Sequence, residues 1–278
     1  MPGYRLRQSR KWDCLNRRQL GIVRFSEITF TGTRLKSSVS PSSLRCSQCS
    51  LGKLCLPVGL DPGDMHRLEE IIESSKSYKQ SESVYRAGDE FRKIYAVKSG
   101  LFETVATDAN GNEHIIGFHL PGELFGLDAI YSGRYISTPV AVTSSVACSI
   151  EYSELSDLAT KLPSLQNQLM CLMSKEVHSS HSGVGEYTAE QKIAGFILSL
   201  SMRYQQRGYS ATRFQLLMPR KDIASYLSMA PETVSRMFRR LVSDGILEIH
   251  QTEVNIKDMD HLKAVTGHIP ADRVFFSS

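Results

Sequence analysis

Between Lys79 and Tyr152 the chain is cut into short β-branched or aromatic runs: SVYRA, KIYAVKSG, LFETVAT, EHIIGFHL, TPVAVT and ACSIEY. Glycines punctuate them at Gly88, Gly100, Gly111, Gly117, Gly122, Gly126 and Gly133. Many short strands joined by glycine turns close into an antiparallel barrel or jelly roll. The turn Asp108-Ala-Asn-Gly111 is a strong hairpin signal, because Asn-Gly tolerates positive φ. Ahead of the roll, Asp64 to Ser74 predicts a short helix, with Met65, Leu68, Ile71 and Ile72 on one face and acids on the other.

After the roll the period changes. Leu162, Leu165, Leu169, Leu172, Met173 and Val177 predict a long helix with an apolar stripe. Such a stripe covers its own roll or pairs with a second copy, and pairing through Leu165, Leu169, Leu172, Met173 and Val177 is the expectation. The end of this stretch, HSSHSGVGEY, is a poor helix, since Gly183 and Gly185 each cost about 1 kcal/mol relative to alanine. His178 and His181 stand at i, i+3, a spacing open to a metal but more often plain polar surface. A further helix is expected from Ala189 to about Arg207.

The segment Met218 to Ile249 reads as helix, turn, helix, strand. Ile223, Ala224 and Leu227 pack the first helix. Pro231 opens the second, where its missing N–H costs nothing. Val234, Met237, Phe238 and Leu241 form that helix's buried face, and Gly245 ends it. ILEI and VNIK make a hairpin, the wing of a winged helix-turn-helix with a recognition helix near 231–243. Glu232, Ser235 and Arg236 lie at i, i+3 and i+4 and point one way. Arginine can donate twice to a guanine, glutamate can accept from a cytosine, and serine can bond a base edge or a phosphate. Arg239, Arg240, Arg220 and Lys221 suit phosphates, which give affinity without sequence.

Cys46, Cys49 and Cys55 follow a C-x₂-C-x₅-C pattern in RCSQCSLGKLCL. Thiolates so close need a cation, either zinc or the iron of an iron–sulfur cluster; the plain alternative is three thiols in a surface loop. Cys148, in the last strand of the roll, is a small buried hydrophobe or a fourth ligand. Cys171 falls in a helical stretch and Cys14 has no cysteine near it.

The 278 residues, 41% of them apolar, suit a sizeable core, and the net charge of +4 permits nucleic acid without requiring it. No apolar run spans a membrane and no secretory signal opens the chain, so a cytoplasmic protein with reduced thiols is expected. Residues 1–44 are basic, with SSVSPSS as a linker, and read as a poorly ordered extension. Residues 45–160 then form the cysteine segment and roll, 161–188 the dimerisation helix, 189–268 the winged helix-turn-helix, and 269–278 a tail.

In order and content, CSQCSLGKLC, YAVKSG, GFHLPGELFGLDAI, VTSSVACSIEY, LMSKE and ETVSR resemble the CRP/FNR family of regulators, and most of all its FNR branch, over roughly residues 45–268. The resemblance implies an α+β chain: a cyclic-nucleotide-binding-like roll, a long dimer helix and a DNA-binding domain. It implies Cys46, Cys49, Cys55 and Cys148 as ligands of a [4Fe–4S] cluster that favours a homodimer on TTGAT-like half-sites, lost when oxygen attacks the cluster. The E-x-x-S-R pattern maps onto Glu232, Ser235 and Arg236. It also implies RNA polymerase as a partner, with the Asp108–Glu113 turn a candidate contact. Where that branch is more apolar this helix carries HSSHSGVG, so a weaker pairing is expected there.

Three other readings compete. A cyclic-nucleotide sensor would need an Arg-Ser or Arg-Thr pair near Gly122-Glu123, but Arg134 is followed by Tyr135, so no cyclic nucleotide is expected. A zinc site or thiol-redox switch could use the same cysteines. An enzyme is not expected: the phosphate-binding, nucleophile-elbow, zinc-protease and dinucleotide motifs are missing.

Overall fold

The computed structural model describes residues 46–267, apart from Ser50, Lys53, Pro57, Val58, Ser74 and residues 181–186. The basic extension with Cys14, the His178 and His181 side chains and the tail lie outside the described residues.

Seven strands form the roll: β1 (Lys76–Tyr78), β2 (Lys93–Ser99), β3 (Phe102–Thr107), β4 (Glu113–His119), β5 (Leu124–Phe125), β6 (Thr138–Ala141) and β7 (Ser145–Glu151). They make two antiparallel sheets, β1-β7-β2-β5 and β4-β3-β6. The hairpin between β3 and β4 turns where Asn110-Gly111 predicts it. Gly111 has φ +85° and its N–H donates to the Asp108 carbonyl at 3.0 Å. SVYRA does not form a strand of its own; it joins the roll through an isolated bridge from Ser83 to Val140.

Aromatic side chains fill the space between the two sheets. Tyr78, Tyr85, Phe102, Phe125 and Tyr135 are all buried there. The rings of Tyr85 and Tyr135 stack with centroids 3.5 Å apart, and Tyr95 stacks on Phe125 at 5.4 Å. Tyr135 also donates its hydroxyl to the Lys93 carbonyl at 2.7 Å, which fixes the ring.

The roll's other apolar face is closed by helices. Helix α1 (Pro62–Ile71) starts at Asp61, whose carboxylate accepts from the N–H groups of Gly63 and Asp64. Helices α2 (Tyr152–Lys161) and α3 (Pro163–Ser180) are separate, divided by Pro163 at the start of the second. The stripe on α3 is split. Leu165 is fully buried in the roll's own core, with Leu169 and Leu172 packed partly against it, while Met173 and Val177 are 36% and 59% exposed. The dimer expectation is therefore corrected at Leu165. In its first turn after Pro163 the helix still packs on α2, so the Leu165 side chain is already covered within its own chain.

The C-terminal half comprises α4 (Ala189–Gln206), β8 (Arg213–Gln215), α5 (Arg220–Tyr226), α6 (Pro231–Ser243), β9 (Leu247–His250), β10 (Glu253–Ile256) and α7 (Met259–Thr266). Thr188 and Gln191 close a reciprocal capping box at the start of α4. The wing is a three-stranded sheet, β8-β10-β9. The core of this half runs into the roll: Leu101, Ile115, Phe118 and Leu120 join Phe196, Ile197 and Ile223 in one buried cluster.

Candidate metal centre and nucleic-acid interface

The cysteine segment is wound by its own backbone. Cys46–Gln48 is a single 3-10 turn, the Cys49 N–H donates to the Cys46 carbonyl at 3.0 Å, and the Gly52 N–H to the Cys49 carbonyl at 3.1 Å. The Cys55 N–H then reaches the Leu51 carbonyl at 3.0 Å. Three successive turns bring the three thiols to the same side. The Ser47 N–H donates to the Glu69 carboxylate at 2.6 Å and ties the loop to α1.

Cys148 arrives from the sheet. In β7 it stands opposite Ala96 of β2. Cys46, Cys49, Cys55 and Cys148 line one cavity of about 40 Å³, closed otherwise by apolar side chains such as Leu56, Ile72 and Ile150 and by Lys98. The Lys98 ammonium donates to the Ser75 hydroxyl at 3.2 Å. The four sequence candidates are thus together. Cys171, on α3, does not line this cavity.

Burial above all, with the neighbouring cysteines adding to it, pushes the thiols of Cys46 and Cys55 up to about 12; Lys98 opposes this at Cys46. Burial raises Cys148 as well. Four thiolates cannot collect here without a cation to carry their charge. A single zinc needs its four sulfurs within about 2.3 Å of one point. Among the described residues no group of three or more His, Cys, Asp or Glu side chains is already drawn in tightly enough to hold a metal ion. The four thiols line the wall of one cavity, an all-sulfur donor set of the kind that suits zinc or an iron–sulfur group.

The recognition helix α6 buries Val234, Met237, Phe238 and Leu241, the face expected of it. Glu232, Arg236 and Arg239 are exposed and Ser235 is half-buried beside them. Lys221 is exposed on α5. Two of the cations named for phosphates have partners within the chain. The Arg220 guanidinium lies over the Phe238 ring, 3.5 Å from its centroid, and burial lowers its pKa to about 10. Arg240 is 3.2 Å from Glu190 of α4 and 3.7 Å from Asp244, which ties the recognition helix to the helix behind it.

Sequence reasoning missed a buried ionic group. Glu123 meets Arg203 of α4 and Arg207, which caps that helix, and its side chain is 14% exposed against 5% and 3% for theirs. Burial alone would raise the Glu123 carboxyl, but the two guanidiniums win and hold it well below the usual carboxylate range. The sequence carried only a faint signal, Arg203 and Arg207 standing four apart just after the apolar run of residues 193–200.

A β-roll followed by a winged helix-turn-helix with an open basic face defines a DNA-binding regulator. Residues 75–161 match the cyclic nucleotide-binding domain family, and residues 191–265 the Crp-like helix-turn-helix domain. The chain is 39% identical over 232 residues to the transcriptional regulatory protein btr of Bordetella pertussis, covering 82% of this chain and 96% of that one. It is 37% identical over 229 residues to the fumarate and nitrate reduction regulatory protein of Escherichia coli, covering 81% and 92%. Among solved structures it resembles FixK2 from Bradyrhizobium japonicum, with a TM-score of 0.62 and 26% identity over 69% of this chain and 96% of that one. The chain belongs to the CRP/FNR family of transcription regulators, in its FNR branch. It is a DNA-binding regulator and not an enzyme.

Proposed function

We propose that this chain is an oxygen-responsive regulator whose Cys46, Cys49, Cys55 and Cys148 hold a [4Fe–4S] cluster. The observation that carries the reading is the convergence of four thiols, three from one wound loop and one from β7, on a single cavity with no other ligand type on its wall. When bound, the cluster supplies an oxygen-labile link between loop and sheet. The residues' part is mechanical. Ligation by Cys148 pins the loop to β7, and so fixes the edge of the roll against which α1 and the start of α3 pack.

The fixed form is the one that pairs and binds DNA, through Leu169, Leu172, Met173 and Val177 on α3. Glu232, Ser235 and Arg236 then read TTGAT-like half-sites, while Arg239 and Lys221 hold phosphates. The exposed Asp108–Glu113 hairpin is the surface offered to RNA polymerase. The aromatic filling of the roll supports a signal other than a cyclic nucleotide. The name of the 37% relative supports a role in choosing respiratory genes.

The test is anaerobic purification with iron, sulfide and zinc assayed on one sample, followed by DNA binding before and after air. Brown protein with about four iron per chain, losing colour and DNA affinity together, is the expected result. Colourless protein holding one zinc and indifferent to air would replace the proposal with a structural or thiol-redox site.

A further inference from the structure

The turn Pro121–Glu123, between β4 and β5, touches the cysteine loop on one side and the DNA-binding half on the other. Gly122 has φ +91°, and a methyl group there would stand 3.0 Å from Cβ of Leu54, the residue before Cys55. The turn is also laced to the wall of the cysteine cavity. The Gly122 N–H donates to the Val97 carbonyl at 2.8 Å and the Val97 N–H to the Glu123 carbonyl at 2.9 Å, and Val97 lines the cavity itself.

The next side chain, Glu123, points to α4. Its carboxylate accepts from Arg203 Nε at 2.9 Å and from Arg207 Nη2 at 2.7 Å. Arg207 Nε donates to the Pro121 carbonyl at 2.7 Å, and Arg203 Nη2 to the Phe118 carbonyl at 2.5 Å. Arg207 therefore grips the backbone of the turn as well as its charge, and Arg203 grips the end of β4 just before it. The far end of α4 holds the recognition helix through Glu190 and Arg240.

We propose that Glu123, Arg203 and Arg207 are positioning residues that transmit the state of the cysteine loop to the DNA-reading helix through the turn Pro121–Glu123. The inference rests on the ligand reading above. A buried carboxylate between two buried guanidiniums does not shift by degrees: a displacement that breaks one bond leaves a charge unpaired in low dielectric. Turn and helix therefore move together or stay together. Gly122 matters because a side chain there would push the loop away, and its backbone conformation suits glycine. The Gly-Glu pair, placed in the fold where a ligand could be met, here binds the protein's own helix.

The test uses the full chain purified without oxygen, as wild type, Leu54→Ala, Glu123→Gln and Glu123→Asp. Iron content and amide hydrogen exchange are read with the cluster in place and after its removal by air. In the wild type, exchange across 200–207 should rise about tenfold on cluster loss, a typical coupling between sites. Leu54→Ala and Glu123→Gln should keep their iron while that response falls below about twofold, and Glu123→Asp should restore most of it. If Glu123→Gln does not fold, Leu54→Ala, which leaves the ion group whole, decides alone. An iron-loaded wild type with no response in α4, or variants responding like the wild type, would overturn the relay and leave the ligand reading intact. A wild type that never carries iron overturns both.

Discussion

Cys148 is half-buried in a strand whose register is set by neighbours on both sides, not by its own sulfur. Serine at this position keeps the strand and loses the soft ligand. Cys148→Ser should therefore remain folded by circular dichroism and bind little iron after anaerobic reconstitution; full iron and sulfide would remove this cysteine from the ligand set. Arg236 stands exposed on the same side of α6 as Glu232. Arg236→Ala should lose on the order of 1–3 kcal/mol of discrimination at one G·C pair, read by binding to a set of single-base site variants. Equal losses on every variant would make it a phosphate contact instead. Arg220 and Arg240 show what a residue list cannot carry. Both are cations in a DNA-binding pattern, yet one spends its guanidinium on Phe238 and the other on Glu190 and Asp244. Only the fold, which sets those partners nearby, distinguishes them from Arg239.

Among the elements, α3 divides its work along its length. Its first turn belongs to the roll, and its later turns carry Met170 and Met173, 65% and 36% exposed. Burying one such side chain against a partner is worth roughly 1.5–3 kcal/mol. Met170→Asp with Met173→Asp should thus weaken self-association by tenfold or more, in line with about 1.4 kcal/mol per decade, as read by sedimentation on cluster-loaded protein. An unchanged dimer would move the interface off this helix. The elements that the sequence pattern identified are those of four residues or more with room to repeat: β2, β3, β4, β6, β7, β9 and β10, and helices α1, α3, α4, α5 and α6. Those it missed include β1, β5 and β8, of two or three residues, where alternation has no room to show, and the eight-residue α7, whose two turns bury little beyond Leu262. Helix α2 was missed for another reason. Its buried Leu155, Leu158 and Ala159 sit among polar residues directly after a strand, and the stronger stripe beyond Pro163 drew the helix start to itself.

Across the whole molecule, the contact between roll and helix-turn-helix has a pH dependence written into it. Glu103 of β3 is raised to about 7, first by burial and then by Asp222 of α5, with Lys221 opposing. Its Oε2 is buried without a hydrogen-bond partner among the described residues. The folded state therefore holds the proton more tightly than the unfolded chain does. This contribution is fully present below pH 4.5 and is lost as pH rises through about 7. Glu103→Gln should raise stability at pH 8 by on the order of 1–2 kcal/mol and do little at pH 4, as measured by denaturant melts. A gain equal at both pH values would place the effect elsewhere. At this scale the sequence carried the layout well: a roll, a helix and a winged helix-turn-helix, with four cysteines that meet. The joint between the halves was not legible, because Glu123 lies some eighty residues from Arg203 and Arg207 and each reads alone as ordinary surface charge.

The stacked tyrosines inside the roll bear on how this chain could be re-engineered. Tyr85 and Tyr135 lie ring to ring, with Phe125 beside Tyr85 and Phe102 beside Phe125, so aromatic rings occupy the space between the sheets. Those rings crowd the interior, so new inputs are best grafted at the rim, onto the loop of Cys46 to Cys55 or the turn at Gly122. Trimming the aromatics to open a chamber would remove the ballast that keeps the two sheets apart, and each such cut would be repaid in melting temperature before any ligand arrived.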